Sequence, residues 1–256
     1  MSAATVYSFP TTHALSSGLS DFVEHLSSDA IKKHDRFTVA VSGGSLPKLL
    51  SADLRHNSRI DFSKWHIFFA DERCVPLDHP DSNYAELKTQ LLDHIAEQIQ
   101  PSHVHPINQA LIEDPEEAAE DYMDQLKDLF AAKDSVKFPV FDLILLGMGP
   151  DGHTCSLFPG HPLLHEHLKW VAEITDSPKP PPNRITLTFS VLNHAHNIAF
   201  VTAGEGKQEM VQRILEGQGE ELPCQLVNPV HGKLVWFVDD AAAGKLRVVR
   251  PVAYKL

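Results

Sequence analysis

The chain has 256 residues, 43% of them apolar and 22% charged, which excludes a fibrous or wholly disordered protein and leaves enough length to bury a core without covalent staples. Twenty-two Lys and Arg against 34 Asp and Glu give a formal net charge of −12, a balance that argues against a protein tracking nucleic-acid phosphates. Three widely spaced cysteines (Cys74, Cys155 and Cys224) with no C-x-x-C argue against a disulfide framework or a zinc ribbon and for a reducing compartment.

The N-terminal stretch Met1–Pro10 has neither a basic region nor a continuous apolar run, so no leader peptide is expected. Residues 12–34 then place Leu15, Leu19, Phe22, Val23, Leu26 and Ala30 on one face of a helix. Phe37–Val41 is short and β-branched and runs into Ser42-Gly43-Gly44, which reads as a buried strand ending in a tight loop. A helix is expected over 46–56, with Pro47 in its first turn. Trp65–Ala70 is a second strand, ending at Asp71-Glu72-Arg73, and Tyr84, Leu87, Leu91, Leu92, Ile95 and Ile99 mark one further amphipathic helix with Ser82 as its N-cap.

Asp114-Pro115-Glu116-Glu117 is a helix start: a capping acid, Pro at the first helical position, and acids facing the positive end of the dipole. Phe141–Leu146 is the most apolar strand and feeds Gly147-Met148-Gly149. Later strands are expected at 184–189, 197–203 and 234–238, with a helix at 206–216. Apolar strands alternating with helices imply an α/β protein: a Rossmann-like, doubly wound, mostly parallel sheet with helices on both faces, in a single domain over residues 1–256. No stretch offers 18 uninterrupted apolar residues, so no membrane span is expected. The C-terminal Tyr254-Lys255-Leu256 only half matches the peroxisomal S-K-L signal and is discounted; the cytoplasm is the expected location.

In open parallel sheets, ligands bind beyond the carboxyl ends of the strands, and four such ends carry suggestive loops. Ser42-Gly43-Gly44-Ser45 offers backbone N–H groups, a hydroxyl and a helix start to an anion, although it is not a Walker A sequence. Asp71-Glu72-Arg73 puts three charges directly after an apolar strand, which is costly unless they meet solvent or partners; Arg73 suits a phosphate or carboxylate, and Asp71 suits sugar hydroxyls. Gly147–Gly152 formally contains G-x-G-x-x-G. Pro150 inside the loop, the negative charge of Asp151 and Pro159 soon after speak against a dinucleotide site, and the loop reads instead as a rigid presentation of Asp151 and His153, with His153 as a general-base candidate. Lys207, between a strand and a helix, is expected to point towards the same crevice, and the proline-rich Ser177–Pro182 segment is expected to form a stiff loop beside Arg184.

His161 and His165 have i, i+4 spacing but lack the H-E-x-x-H pattern or a cysteine pair, so no metal is expected there. Cys155 beside His153 reads as a small buried hydrophobe rather than a nucleophile. With a net charge of −12, binding an anion requires cations concentrated at the site, where short-range pairing outweighs a field screened over about 8 Å. Arg73, Arg184 and Lys207 are the candidates, with Lys48 in reserve.

Several blocks together resemble the 6-phosphogluconolactonases: Val41–Ser45, Asp71–Pro76, Asp81–Tyr84, Leu146–Gly160, Pro181–Thr188 and Gly204–Lys207. They occur in the family's order across about residues 36–240, and Asp151-Gly152-His153-Thr154-Cys155-Ser156-Leu157-Phe158-Pro159-Gly160 is the most specific. The resemblance implies hydrolysis of 6-phospho-D-glucono-1,5-lactone to 6-phospho-D-gluconate, the second step of the oxidative pentose phosphate pathway. It also implies a fold shared with glucosamine-6-phosphate deaminase, and no metal or organic cofactor. By matching positions, His153 is the water-activating base, joined by Asp151 and Asp71 in the catalytic group, and Gly43, Gly44, Ser45, Arg73, Arg184 and Lys207 bind the phosphorylated substrate. A deaminase-like isomerase is the nearest alternative, but that relative typically continues D-G-H with I-A-F-N-E-P. Here Thr154–Pro159 supplies no acid for ring opening. A non-catalytic sugar-phosphate sensor is the other alternative. The expected partner is a small-molecule sugar-phosphate lactone, without nucleic acid or membrane, and the chain is expected to be a monomer or a weak homodimer.

Overall fold

The apolar runs assemble into a seven-stranded sheet in which every neighbouring pair is parallel. The computed structural model describes residues 4–132, 136–217 and 221–255; Met1–Ala3 and Leu256, parts of the terminal segments read above for targeting signals, lie outside the described residues. In chain order the elements are β1 (Thr5–Phe9), α1 (Thr12–His34), β2 (Phe37–Val41), α2 (Leu46–Leu54), β3 (Trp65–Phe69), β4 (Asp71–Arg73), α3 (Asn83–Gln90), β5 (Val104–His105) and α4 (Pro115–Phe130). There follow β6 (Leu143–Leu146), β7 (Val171–Ile174), β8 (Arg184–Leu187), α5 (Phe189–Leu192), β9 (Asn197–Thr202), α6 (Gln208–Glu216), α7 (Pro223–Leu226), β10 (Lys233–Asp239) and α8 (Asp240–Ala243).

The sheet runs β1-β10-β9-β6-β2-β3-β5. Successive strand side chains point to opposite faces. Val39, Val41, Leu143, Leu145, Val235 and Phe237 therefore pack with α1, α2 and α3, while Ala40, Ile144, Leu146, Phe200, Trp236 and Val238 pack with α4, α6 and a small second sheet. Both faces are covered, as the unbroken apolar strands require. The chain winds outward in one direction through β3 and β5 and in the other through β9 and β10, so the order reverses between β2 and β6. Their carboxyl ends are where such sheets open a crevice.

Local chemistry explains the helix boundaries. Asp114 Oδ1 accepts from the Glu116 and Glu117 N–H groups at 3.1 and 3.2 Å and starts α4 with Pro115 at its first position. Ser82 Oγ accepts from Ala85 N at 3.2 Å and starts α3. The single helix expected from Tyr84 to Ile99 is instead α3 followed by a 3-10 turn at Leu92–His94, with the break at Leu91 (φ −128°). Leu91, Leu92, Ile95 and Ile99 are all buried; the same apolar spacing is satisfied by two short pieces that turn over the sheet.

Two expectations about strands change. Residues 184–189 were expected to join the parallel sheet, but Arg184–Leu187 pairs antiparallel with both β7 and β4 in a separate three-stranded sheet. Asp71-Glu72-Arg73, expected as a loop, is itself a strand of that sheet, paired residue for residue with Thr186, Ile185 and Arg184. The strands β1, β5 and β7 were not foreseen. The sheet's outer margins are both short of free backbone. At one, Val252 N donates to Val6 O at 2.8 Å and Ser8 N donates to Val252 O at 3.3 Å, while Tyr254 packs edge-on against Tyr7 with centroids 5.0 Å apart. At the other, β5 has only two residues, and His66, His103 and His105 stack there, with centroids 4.0 Å apart for the first two and 5.5 Å for His66 and His105. No helix among the described residues is long and apolar enough to cross a membrane.

Candidate active site

The crevice at the reversal point is a cavity of about 200 Å³ lined by four segments: Ser42–Ser45, Asp71 with Arg73, Gly147–Gly149 with His153–Cys155, and Val201–Thr202 with Lys207. The loop after β2 is tied to the neighbouring β6, where Ser42 N donates to Leu145 O at 3.0 Å. Gly44 sits at φ +72°, a left-handed conformation that glycine adopts without steric penalty. It turns the chain so that the segment before α2 faces the cavity.

Asp71 joins the two sides of the crevice. Its carboxylate is 3% exposed and accepts from Ser42 Oγ at 3.0 Å on one oxygen and from Ser156 Oγ at 2.9 Å on the other. The reading of Asp71 as a ligand for sugar hydroxyls therefore meets a carboxylate already holding two loop serines in register. The neighbouring Glu72 is fully buried. Its carboxylate accepts from the N–H groups of Arg73, Asn83 and Tyr84 at 2.7–2.8 Å and from Ser82 Oγ at 3.1 Å, so it caps the start of α3, where an anion is favoured. Burial pushes this carboxyl up to about 7, against the pull of those backbone donors. The third charge, Arg73, donates from Nη1 to the Asp81 carbonyl at 2.6 Å. Its Nε is buried without a hydrogen-bond partner among the described residues, and the side chain lines the cavity.

The loop after β6 is built as a tight turn: Gly149 N donates to His153 O at 2.8 Å, Gly152 N to Gly149 O at 3.1 Å, and Thr154 Oγ1 to Gly147 O at 2.9 Å. The His153 ring lies directly over the Gly149 backbone, so that a Cβ at 149 would sit 2.0 Å from ring atoms Cε1 and Nδ1; no residue larger than glycine fits there without moving the imidazole. The ring also packs on Phe158, with centroids 4.7 Å apart. His153 Nδ1 is hydrogen-bonded to Asp151 Oδ1. An imidazole that gives its Nδ1 proton to a carboxylate keeps its lone pair on Nε2. Burial lowers the His153 pKa below its ordinary value, with the Asp151 interaction opposing and the Lys179 charge reinforcing that shift. Burial opposes ionisation of Asp151, but hydrogen bonds from His153 and Lys179 outweigh it and hold the carboxyl below the usual range. Cys155 is buried and burial drives its thiol pKa well up, so it supplies no thiolate near neutrality.

Lys207 donates to the Met148 carbonyl at 2.8 Å and lines the cavity; burial and the charge of Lys179 lower its pKa. Arg184 departs from expectation. It is 3% exposed and does not line the cavity. Its Nε donates to Pro181 O at 3.0 Å, and its Nη2 donates to Lys179 O and Pro180 O at 2.8 and 3.1 Å. The guanidinium lies 5.8 Å from the centre of the Phe158 ring, on which His153 also packs. The carbonyls of the proline-rich loop satisfy its donors.

His153, Asp71, Arg73, Lys207 and the Gly43–Ser45 segment are thus brought to one cavity, Asp151 reaches it through His153, and Arg184 does not line it. Sequence reasoning passed over Lys179, whose Nζ lies 3.2 Å from Asp151 Oδ1 and 3.1 Å from His153 Nδ1, and also Ser156 and Phe158. Lys179 was inside the proline-rich segment already singled out, and Ser156 and Phe158 directly follow His153; a lysine flanked by prolines, held stiffly, was the available signal. Among the described residues, no group of three or more His, Cys, Asp or Glu side chains is arranged to hold a metal ion. His161 is engaged otherwise, with Nε2 3.0 Å from Asp176 and Nδ1 accepting from Leu163 N at 3.2 Å.

Residues 10–236 match the model of the family described as glucosamine-6-phosphate isomerases/6-phosphogluconolactonase. A protein of Schizosaccharomyces pombe named "Probable 6-phosphogluconolactonase" is 48% identical over 247 residues, covering 94% of this chain and 96% of that protein. The Homo sapiens protein named 6-phosphogluconolactonase is 50% identical over 218 residues, covering 83% and 82%. Among solved structures, the 6-phosphogluconolactonase of Trypanosoma brucei superposes with a TM-score of 0.82 at 27% identity, over 95% of this chain and 99% of that one.

Proposed function

The chain belongs to the glucosamine-6-phosphate isomerase/6-phosphogluconolactonase family, and from that premise we infer that it hydrolyses 6-phospho-D-glucono-1,5-lactone to 6-phospho-D-gluconate, the second step of the oxidative pentose phosphate pathway. The observation that carries the reading is the imidazole of His153, fixed at Nδ1 by Asp151, in the same cavity as Arg73 and Lys207.

In this reading Arg73, Lys207 and the Gly43–Ser45 segment grip the phosphorylated sugar and set lactone carbon C1 opposite Nε2 of His153. A water molecule attacks C1 while Nε2 removes its proton. The tetrahedral intermediate collapses with cleavage of the bond from C1 to the ring oxygen, and Nε2–H returns the proton to that oxygen, which becomes the 5-hydroxyl. Lactone and water are thereby converted to the open acid with no proton left over. A positioned base of this kind contributes roughly 10²–10⁴-fold, and backbone N–H groups of the glycine loops would stabilise the oxyanion. Asp71 serves the reaction by holding the Ser42 and Ser156 loops together, and Asp151 by fixing the imidazole tautomer. The proposed location is the cytoplasm, a reading that rests on the three free cysteines, and the proposed assembly is a monomer or weak homodimer acting on a small molecule.

The test is an assay with freshly generated lactone, corrected for spontaneous ring opening. Rapid formation of 6-phosphogluconate is expected. Ammonia release from glucosamine 6-phosphate would replace this reading with the deaminase, and tight sugar-phosphate binding with no excess rate would replace it with a sensor.

A further inference from the structure

We propose that Lys179 is a positioning residue for lactone hydrolysis: carried on a proline-rich loop clamped by the buried Arg184, its ammonium holds the Asp151 carboxylate against the His153 imidazole. The inference rests on the reading of His153 as the base.

The geometry is specific. Lys179 Nζ reaches Asp151 Oδ1 at 3.2 Å and lies 3.1 Å from His153 Nδ1. Nδ1 cannot accept a proton from lysine while giving its own to Asp151, so the lysine donates to the carboxylate and stands beside the ring as a charge. Asp151 Oδ1 then receives two donors, the imidazole N–H and the ammonium, which stand side by side and tie the carboxylate to the imidazole. The loop that carries the lysine is held by its own carbonyls: those of Lys179, Pro180 and Pro181 all accept from Arg184, and Ser177 Oγ donates to the Lys179 carbonyl at 2.8 Å. The backbone of Lys179 itself is therefore anchored to a residue 3% exposed, which a casual surface ion pair does not need.

Lys179 does not line the cavity, which separates it from Arg73 and Lys207 and makes a direct grip on the substrate the less economical role. The groups facing His153 are Asp151 from its own loop, Lys179 from the proline-rich loop and, across the cavity, Asp71; Arg73 and Lys207 line the same cavity. The lysine is the cation against the ring that disfavours the imidazolium. It keeps Nε2 free to take a proton from water and, once the proton is taken, helps to return it. The side chains of Lys179 and Asp151 are 36% and 37% exposed, so the pair adds little to folding stability and its removal is readable in catalysis.

The experiment compares Lys179→Met and Lys179→Arg with the parent chain, each checked for an unchanged thermal midpoint, with Lys179→Gln replacing the methionine variant if that one does not fold. Lys179→Met is expected to lower kcat by about tenfold or more with KM within about twofold. It should also move the acid limb of kcat/KM up by about one pH unit, because the imidazolium loses a repelling cation. Lys179→Arg should restore the limb and most of kcat. An unchanged limb and kcat in Lys179→Met, or a raised KM at constant kcat, overturns the proposal. His153→Asn separates the two readings: substantial turnover in that variant removes the base itself, whereas an inactive His153→Asn beside a normal Lys179→Met removes only the role given to the lysine.

Discussion

Replacing Gly149 with alanine tests the placement of the imidazole and of the Asp151 carboxylate bonded to it, since the new Cβ would also fall 2.8 Å from Asp151 Oδ1. The added Cβ would fall 2.0 Å from Cε1 and Nδ1 of His153. Carbon atoms in contact settle near 3.5–4.0 Å, so the ring must move by about 1.5 Å, disturbing its packing against Phe158. A misplacement of about 1 Å in a reacting group costs on the order of 10²-fold, and the whole contribution of a positioned base is roughly 10²–10⁴-fold. Gly149→Ala should therefore lower kcat by at least about 10²-fold, or about 2.7 kcal/mol of transition-state stabilisation, with phosphorylated ligands still bound. Gly206→Ala is the control, since a Cβ there meets nothing within 4 Å, and its kcat should stay within about twofold. Initial rates on fresh lactone, corrected for uncatalysed opening and paired with thermal melts, decide the matter. A folded Gly149→Ala variant with near-normal kcat would show that the position of His153 in this loop is not what turnover depends on.

Changing His153→Ala should collapse kcat while 6-phosphogluconate still binds, measured by calorimetry; near-normal turnover would refute its role as base. Lys207→Ala should weaken phosphorylated ligands far more than dephosphorylated lactone, by roughly 10- to 150-fold for one lost charge-assisted bond, and equal losses would refute phosphate recognition. The stacked histidines at β5 predict acid sensitivity. Burial, reinforced by the charge of His103, lowers His66 and His105 to about 4 from 6.5. The stability tied to their neutral forms is thus complete above about pH 6.5 and is lost as pH falls from there through 4. Two and a half units each, at about 1.36 kcal/mol per unit, discounted for their partial exposure, give about 2–4 kcal/mol in total. Urea unfolding at pH 7 and pH 4.5 should show a loss larger by that amount in the parent chain than in a His66→Gln/His105→Gln double variant; parallel pH profiles would refute the assignment.

Much of this was legible in the sequence where the signal is local. The apolar runs at 37–41, 65–69 and 141–146 became central strands because a strand buried on both faces needs no alternation. The Asp114-Pro115 start of α4 was visible because capping is settled within four residues. The Asp151-Gly152-His153 loop was legible because Gly149, Gly152 and His153 lie within five residues and close one turn. What was missed depends on distant pairing. The charged triplet at 71–73 becomes a strand only because Arg184–Thr186 lies alongside, and nothing near Glu72 in sequence announces that the start of α3 will neutralise it. In the sequence Arg184 reads as a substrate ligand because an anion site in an acidic chain needs cations and because its position matches the family's binding set, while its burial comes from its pairing in the second sheet. Lys179 meets His153 across 26 residues of chain, a distance no periodicity spans. Thr5–Phe9 is short, and its pairing with Val235–Asp239 is decided by the far end of the chain.

The strap formed by residues around Val252 has a consequence for the molecule in a crowded solution. Unpaired backbone along a sheet margin is a template on which other strands can be laid. With the amide of Ser8 and the carbonyl of Val6 already taken by the tail, and the opposite border shortened to two residues, this sheet offers little runway for self-templated growth. The strap at Val252 thus works as a selvedge, closing part of a border on which another strand could otherwise be laid.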